Sequence, residues 1–161
     1  WAAEPSYVYT NGANMPLMQM KGDVNPNTGH PALRFMCPVG WKSIMQNATG
    51  ITPGKAYTFS GWYKGSASGM TSDVRFSFRD ANGVSLASGQ AVYSGSGNWE
   101  KVKLTKTAPA GTVFARIDIV NWTSGVGAYM LYSDLQLEAG STPTMYSETM
   151  GVYYPDYPRT Q

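Results

Sequence analysis

The chain has 161 residues, the size of one domain that buries a core without disulfides or metals as staples. Its 12 Lys and Arg against 10 Asp and Glu leave a formal charge of +2, too little positive potential for a phosphate-tracking surface, so no nucleic-acid partner is expected. No run approaches the ~18 apolar residues of a membrane span and the N-terminus lacks a basic-then-apolar leader pattern, so no membrane insertion is expected either.

Charged residues make up 14% of the chain and aromatics 13%, with 18 Gly and 10 Pro, a balance that favours strands and turns over helices. The single Cys37 cannot form an internal disulfide and reads as a small buried hydrophobe. The start at Trp1 reads as a processed product or a domain of a longer polypeptide.

In chain order, a short strand is expected around Tyr7 to Tyr9, then loops through the Asn25-Pro26-Asn27-Thr28-Gly29 cluster. Ala32 to Cys37 and Ser43 to Gln46 alternate as strands, with Leu33 and Phe35 on one face, Arg34 and Met36 on the other, and a turn carrying Trp41 between the two segments. The turn Ile51-Thr52-Pro53-Gly54-Lys55 feeds a long strand, Ala56 to Lys64, with Tyr57 and Phe59 inward and Thr58, Ser60, Trp62 and Lys64 outward. Asp73 to Arg79 sends Val74, Phe76 and Phe78 inward and Arg75, Ser77 and Arg79 outward, and Asp80-Ala81-Asn82-Gly83 closes a hairpin.

Beyond the hairpin, Val84 to Leu86 and Ala91 to Tyr93 read as two short strands. The strand opened by Trp99 points Val102 and Leu104 inward and Lys101 and Lys103 to water; with Lys106, these lysines read as keeping a sheet edge soluble. Val113 to Trp122 places Ala115, Ile117 and Ile119 inside and Arg116, Asp118 and Val120 outside, and Tyr129 to Leu137 is the last strong strand. About ten strands at this spacing predict an all-β fold, a two-sheet antiparallel β-sandwich of the jelly-roll kind. The domain is expected over 1–140. Residues 141–161, with the run Tyr153-Tyr154-Pro155-Asp156-Tyr157-Pro158, read as a Tyr/Pro-rich C-terminal arm or linker, since Pro removes ladder donors.

Several segments in this order resemble one family. Gln46-Asn47 followed by Ile51 to Lys64 (ITPGKAYTFSGWYK), then Asp80-Ala81-Asn82-Gly83, Gly97 to Val102, Thr107 to Gly111 and Leu135 to Ser141 resemble carbohydrate-binding modules of the family 4/9/22 jelly-roll group. The similarity runs from about Leu33 to Ser141. The ending Leu135-Gln136-Leu137-Glu138-Ala139-Gly140-Ser141 through Tyr146 is similar to the closing strand of versions found in bacteriophage tail and virion-surface proteins. The resemblance implies a virion-surface or extracellular location. Enzyme-attached members carry two adjacent aspartates in that last strand, one holding a structural calcium ion; Ser133 and Asp134 stand there in this chain, so the resemblance offers Asp134, with Glu4 or backbone carbonyls near the N-terminus, as a calcium ligand. No other cofactor is expected.

Sugar recognition needs flat aromatic faces for the apolar side of a pyranose and fixed polar groups for its hydroxyls. Trp62, Arg75, Arg116, Asp118 and Trp122 fall on outward strand phases, and Trp41 sits on a loop; these six are the expected ligand residues. Each has an ordinary alternative as a packed ring or a solvated surface charge. The lone His30, in a Pro/Gly loop, offers one base and no nucleophile turn, and reads as a buried or capping residue; Asp73 and Asp118 are the one carboxylate pair that could share a face. The chain is therefore expected to be non-catalytic, binding a polysaccharide or cell-surface glycan through one sheet face that carries both Trp62 and Trp122. The alternative is a structural or decoration jelly roll of a phage capsid or tail, with a homo-oligomer such as a trimer, or other virion proteins, contacted through the C-terminal arm.

Overall fold

The computed structural model describes residues 18–19, 23–36, 42–122 and 127–146. The expected strand at Tyr7 to Tyr9, Cys37, Trp41, Glu4 and the Tyr153 to Pro158 run lie outside the described residues. Among the described residues all regular structure is β: β1 (Met18–Gln19), β2 (Leu33–Met36), β3 (Lys42–Ala48), β4 (Ala56–Gly65), β5 (Thr71–Arg79), β6 (Ser85–Ser94), β7 (Glu100–Thr107), β8 (Phe114–Asn121) and β9 (Tyr129–Ala139). These nine strands form two antiparallel sheets, one in the order β1-β2-β9-β4-β7 and one in the order β3-β8-β5-β6, the two layers of a jelly-roll β-sandwich.

Alternation builds the core. From β5 it receives Val74, Phe76 and Phe78, from β8 Ala115, Ile117 and Ile119, and from the facing sheet Phe59, Tyr63, Val102, Met130 and Tyr132, all buried. Phe76 and Phe78 pack with ring centroids 4.8 Å apart, and Tyr57 meets Phe78 edge-on at 6.0 Å. Leu33, Leu104, Leu135 and Leu137 close the rim of this cluster. Full burial of such a side chain contributes about 1.5–3 kcal/mol.

Three expectations change. The two short strands at Val84 to Leu86 and Ala91 to Tyr93 are one continuous β6, because Ser88-Gly89-Gln90 stays in the ladder opposite Ser77, Phe76 and Arg75. Gly89 breaks the hydrophobic pattern for a packing reason: a Cβ there would lie 2.3 Å from Lys106 Cε, so the stem of this lysine, from β7 of the other sheet, occupies the space where a side chain is missing. Val120, on the outward phase, is buried; its register neighbours are Ser43 and Asp73, and Asp73 is buried with it, so this part of the outer face is closed over. The two-residue β1 lies in a stretch that reads as loop.

At one end of the sandwich Glu100 accepts hydrogen bonds from Ser96 N–H (2.8 Å), Ser96 Oγ (2.7 Å) and Tyr63 Oη (3.0 Å). The Ser96 backbone donor, then the two hydroxyls, hold the Glu100 carboxyl below its ordinary range, while burial and the bond to Glu100 push the Tyr63 phenol up. A carboxylate depressed in the folded state stabilises fully above its unfolded pKa, and that stabilisation is lost as pH falls through the folded value. The melting temperature of the wild type is therefore expected to fall more steeply below about pH 4 than that of Glu100→Gln. Parallel curves for the two proteins would remove Glu100 from the acid response.

Candidate functional site

The outer face of the four-stranded sheet is a grid of side chains set by register. Met45, Asp118, Arg75 and Gln90 form one row across β3, β8, β5 and β6; Asn47, Arg116, Ser77 and Ser88 form the next; Ser43, Val120, Asp73 and Val92 form a third. The cross-strand spacing brings charges from separate strands within reach of one another.

Arg116 is clamped on Asp118, with Nε 3.0 Å and Nη2 2.9 Å from Oδ1. Arg75 Nη2 lies 3.1 Å from Asp73 Oδ2, which also accepts from Gln90 Nε2 at 2.7 Å. The Asp73 side chain is only 2% exposed while that of Arg75 is 43% exposed, so a buried carboxylate holds a guanidinium whose outer part meets solvent. Arg75 Cζ is 5.5 Å from the centroid of Trp122, whose backbone N–H is tied to the Thr71 carbonyl. Arg75 Nε is buried and has no hydrogen-bond partner among the described residues. Trp122 itself is 41% exposed, and Val92 stands exposed beside Asp73 in the grid. Two arginines thus meet two aspartates, and the face presents fixed donors and acceptors beside an open indole with little net charge.

The structure therefore gathers Arg75, Arg116, Asp118 and Trp122 on one face. It does not bring Trp62 to them. Trp62 belongs to β4 in the five-stranded sheet, where its cross-strand partner is Lys101, so the expectation of one face carrying both Trp62 and Trp122 is corrected. Strand phase tells inside from outside but not one sheet from the other. Asp73 and Asp118 do share this face, yet each is paired with an arginine rather than with the other. Gln90 falls in the Ser88-Gly89-Gln90 interruption, where the sequence pattern carries no strand phase.

Asp134 lies elsewhere, at a β-bulge where Asp134 and Leu135 together oppose Gly61. It is the one non-glycine with positive φ (54°) among the described residues, and a Cβ on Gly61 would sit 2.6 Å from Leu135 Cδ2. The Asp134 carboxylate, 3% exposed, accepts from Thr28 Oγ1 (2.8 Å) and Ser133 Oγ (3.0 Å) and bonds the His30 ring at Nδ1. Asn25, fully buried, donates to Ser133 Oγ at 2.8 Å. His30 is thus a fastening residue of the 25–30 loop. Calcium asks for six to eight oxygen ligands; Asp134 is surrounded by hydroxyl and imidazole groups directed at its own oxygens, and no group of three metal-ligating side chains occurs among the described residues. Among the described residues the Asp134 oxygens are taken by Thr28, Ser133 and His30, and the other ligands expected for the ion, Glu4 and carbonyls near the N-terminus, lie outside the described residues.

No family model and no curated protein matches the chain. Solved structures do. The active domain of tailspike protein 4 from bacteriophage CBA120 is similar with a TM-score of 0.62 and 17% identity over 73% of this chain. The CBM22-1 and GH10 modules of a Clostridium thermocellum xylanase, complexed with xylohexaose, give a TM-score of 0.57 and 14% identity over 84%. The carbohydrate-binding module CBM61, complexed with β-1,4-galactotriose, gives 0.52 and 16% over 70% of this chain and 72% of its own. These likenesses show a fold shared with carbohydrate-binding modules and with the tailspike domain. The chain spans 17% of the tailspike chain and 25% of the xylanase chain.

Proposed function

We propose that this chain is a non-catalytic carbohydrate-binding module of a larger extracellular or virion protein, and that the outer face of β3-β8-β5-β6 receives the sugar. The observation that carries the reading is the Trp122 ring, open to solvent beside the Arg75 guanidinium that buried Asp73 holds in place, with the Arg116–Asp118 pair farther along the same face. Trp122 supplies a stacking surface for the C–H face of a pyranose, Arg75 and Arg116 donate to hydroxyl oxygens, and Asp118 accepts from hydroxyl protons. Each ion pair is formed before the ligand arrives, so little side-chain ordering is left to do on binding. One such face binds weakly, and repetition on an oligomer raises its useful affinity through effective concentration.

A structural or decoration role is the second reading. Val84, Leu86 and Val113 are exposed at 58%, 40% and 51% around the turns that follow β5 and β7, an apolar end suited to protein contact.

A binding screen against neutral polysaccharides and cell-surface glycans separates the two. Trp122→Ala is expected to weaken binding to neutral glycans by about tenfold or more while remaining folded, and Trp62→Ala, on the other sheet, to leave that neutral-glycan binding unchanged. No binding by a deliberately multivalent form of the wild type would turn the assignment to the structural role.

A further inference from the structure

The geometry points to a second binding surface on the opposite side of the sandwich, for an acidic polysaccharide, formed by Lys64, Lys101 and Lys103 around Trp62. Lys101 and Lys103 are exposed on β7, opposite Trp62 and Ser60 of β4, and Lys64 lies two residues beyond Trp62 on the same face. The Lys101 ammonium sits 5.1 Å from the Trp62 ring centroid, so the indole holds one charge in a defined place. Charge on the molecule is sided. Arg75 and Arg116 on the front are matched by Asp73 and Asp118 and only Arg79, bonded to Ser77 and the Gly83 carbonyl, is without a carboxylate there, whereas no lysine is in an ion pair among the described residues. The acidic groups nearest in the back-face register are already engaged: Asp134, next to Ser133 opposite Trp62, with Thr28, Ser133 and His30, and Glu138, opposite Thr58, with the N–H and hydroxyl of Thr144.

Protection of a sheet edge explains lysines on β7, which is the outer strand of its sheet. It does not explain Lys64 or Trp62, because β4 is an inner strand between β9 and β7. Lysines two residues apart on one strand face stand about 7 Å from each other, so the surface offers spaced charges rather than a pocket and suits a chain with repeated anionic groups. With Lys101 over the indole, no free ring is left as a platform for bases, and a nucleic acid is disfavoured on that ground.

The experiment measures binding of the intact chain to polyglucuronate, to a polyribitol phosphate and to an oligothymidylate at about 20 and about 300 mM salt. Expected is binding to one or both acidic glycans that is lost at the higher salt, the two polymers telling carboxylate from phosphate preference. The double variant Lys101→Gln/Lys103→Gln should bind about tenfold more weakly, Lys101→Arg/Lys103→Arg should recover, and neutral-glycan binding by the front face should not change in either. Absence of binding to both acidic glycans at low salt overturns the proposal. So does a glutamine double variant that aggregates while its soluble fraction binds like the wild type, which would leave edge protection as the lysines' role, and so does oligothymidylate binding as tight as that of the glycans.

Discussion

Replacing Arg75 with alanine is expected to abolish measurable sugar binding and, in the same variant, to lower the unfolding free energy by about 1–3 kcal/mol. The two losses share one cause. Asp73 is buried, and its side-chain partners among the described residues are Arg75 and Gln90, so deleting the guanidinium leaves a carboxylate with a single neutral donor. Water entering where the exposed part of Arg75 stood softens that cost below the figure for a fully buried pair. Arg75→Lys separates the effects: an ammonium near Asp73 restores most of the stability, but the planar fork beside Trp122 is gone, and binding should stay down by about tenfold. Urea unfolding and calorimetric titration of the three proteins read both quantities. Wild-type affinity in Arg75→Ala would remove this face from recognition.

The second large effect is expected at Asp134, where alanine should cost about 2–4 kcal/mol. Thr28 Oγ1, Ser133 Oγ and the His30 ring all lose their shared acceptor, and a β-carbon without a polar tip is left at a φ of 54°. Asp134→Asn keeps the tolerance for that φ and one oxygen, so it should lose about half as much. Asp134→Gly removes the backbone strain with the acceptor, and its difference from alanine isolates the cost of the dihedral. If alanine shifts the urea midpoint no more than an ordinary surface change, within about 0.5 kcal/mol, the 25–30 loop is not fastened through this carboxylate.

What the sequence disclosed follows from which forces are local. The inward sets of β5 and β8 are legible because a strand with one buried face must alternate, and Phe76 and Ile117 have no other phase available. The outward phase of Arg75, Arg116 and Asp118 comes from the same rule. That these three share a face with Trp122, and that Trp62 does not, is decided by pairing between strands distant in the chain, which no local pattern encodes. Gln90 was hidden because Gly89, placed for the stem of Lys106, reads as a break in a strand. Asp134 illustrates a different limit: family resemblance points there to a metal, while its partners Thr28 and His30 lie 106 and 104 residues earlier.

The position of β9 sets the order in which the molecule can assemble. It lies between β2 and β4, and β8 lies between β3 and β5, so in both sheets a strand near the end of the described chain joins two from its first half. A nascent chain emerging from the ribosome carries β2 long before β9, and β3 long before β8. Those early strands wait with apolar faces unburied, and closure over such long loops makes folding slow, in the range of about milliseconds to seconds typical of β-sandwiches. Completion is thus a late, concerted event triggered by the arrival of β9, and the interval before it is when the chain is most open to aggregation.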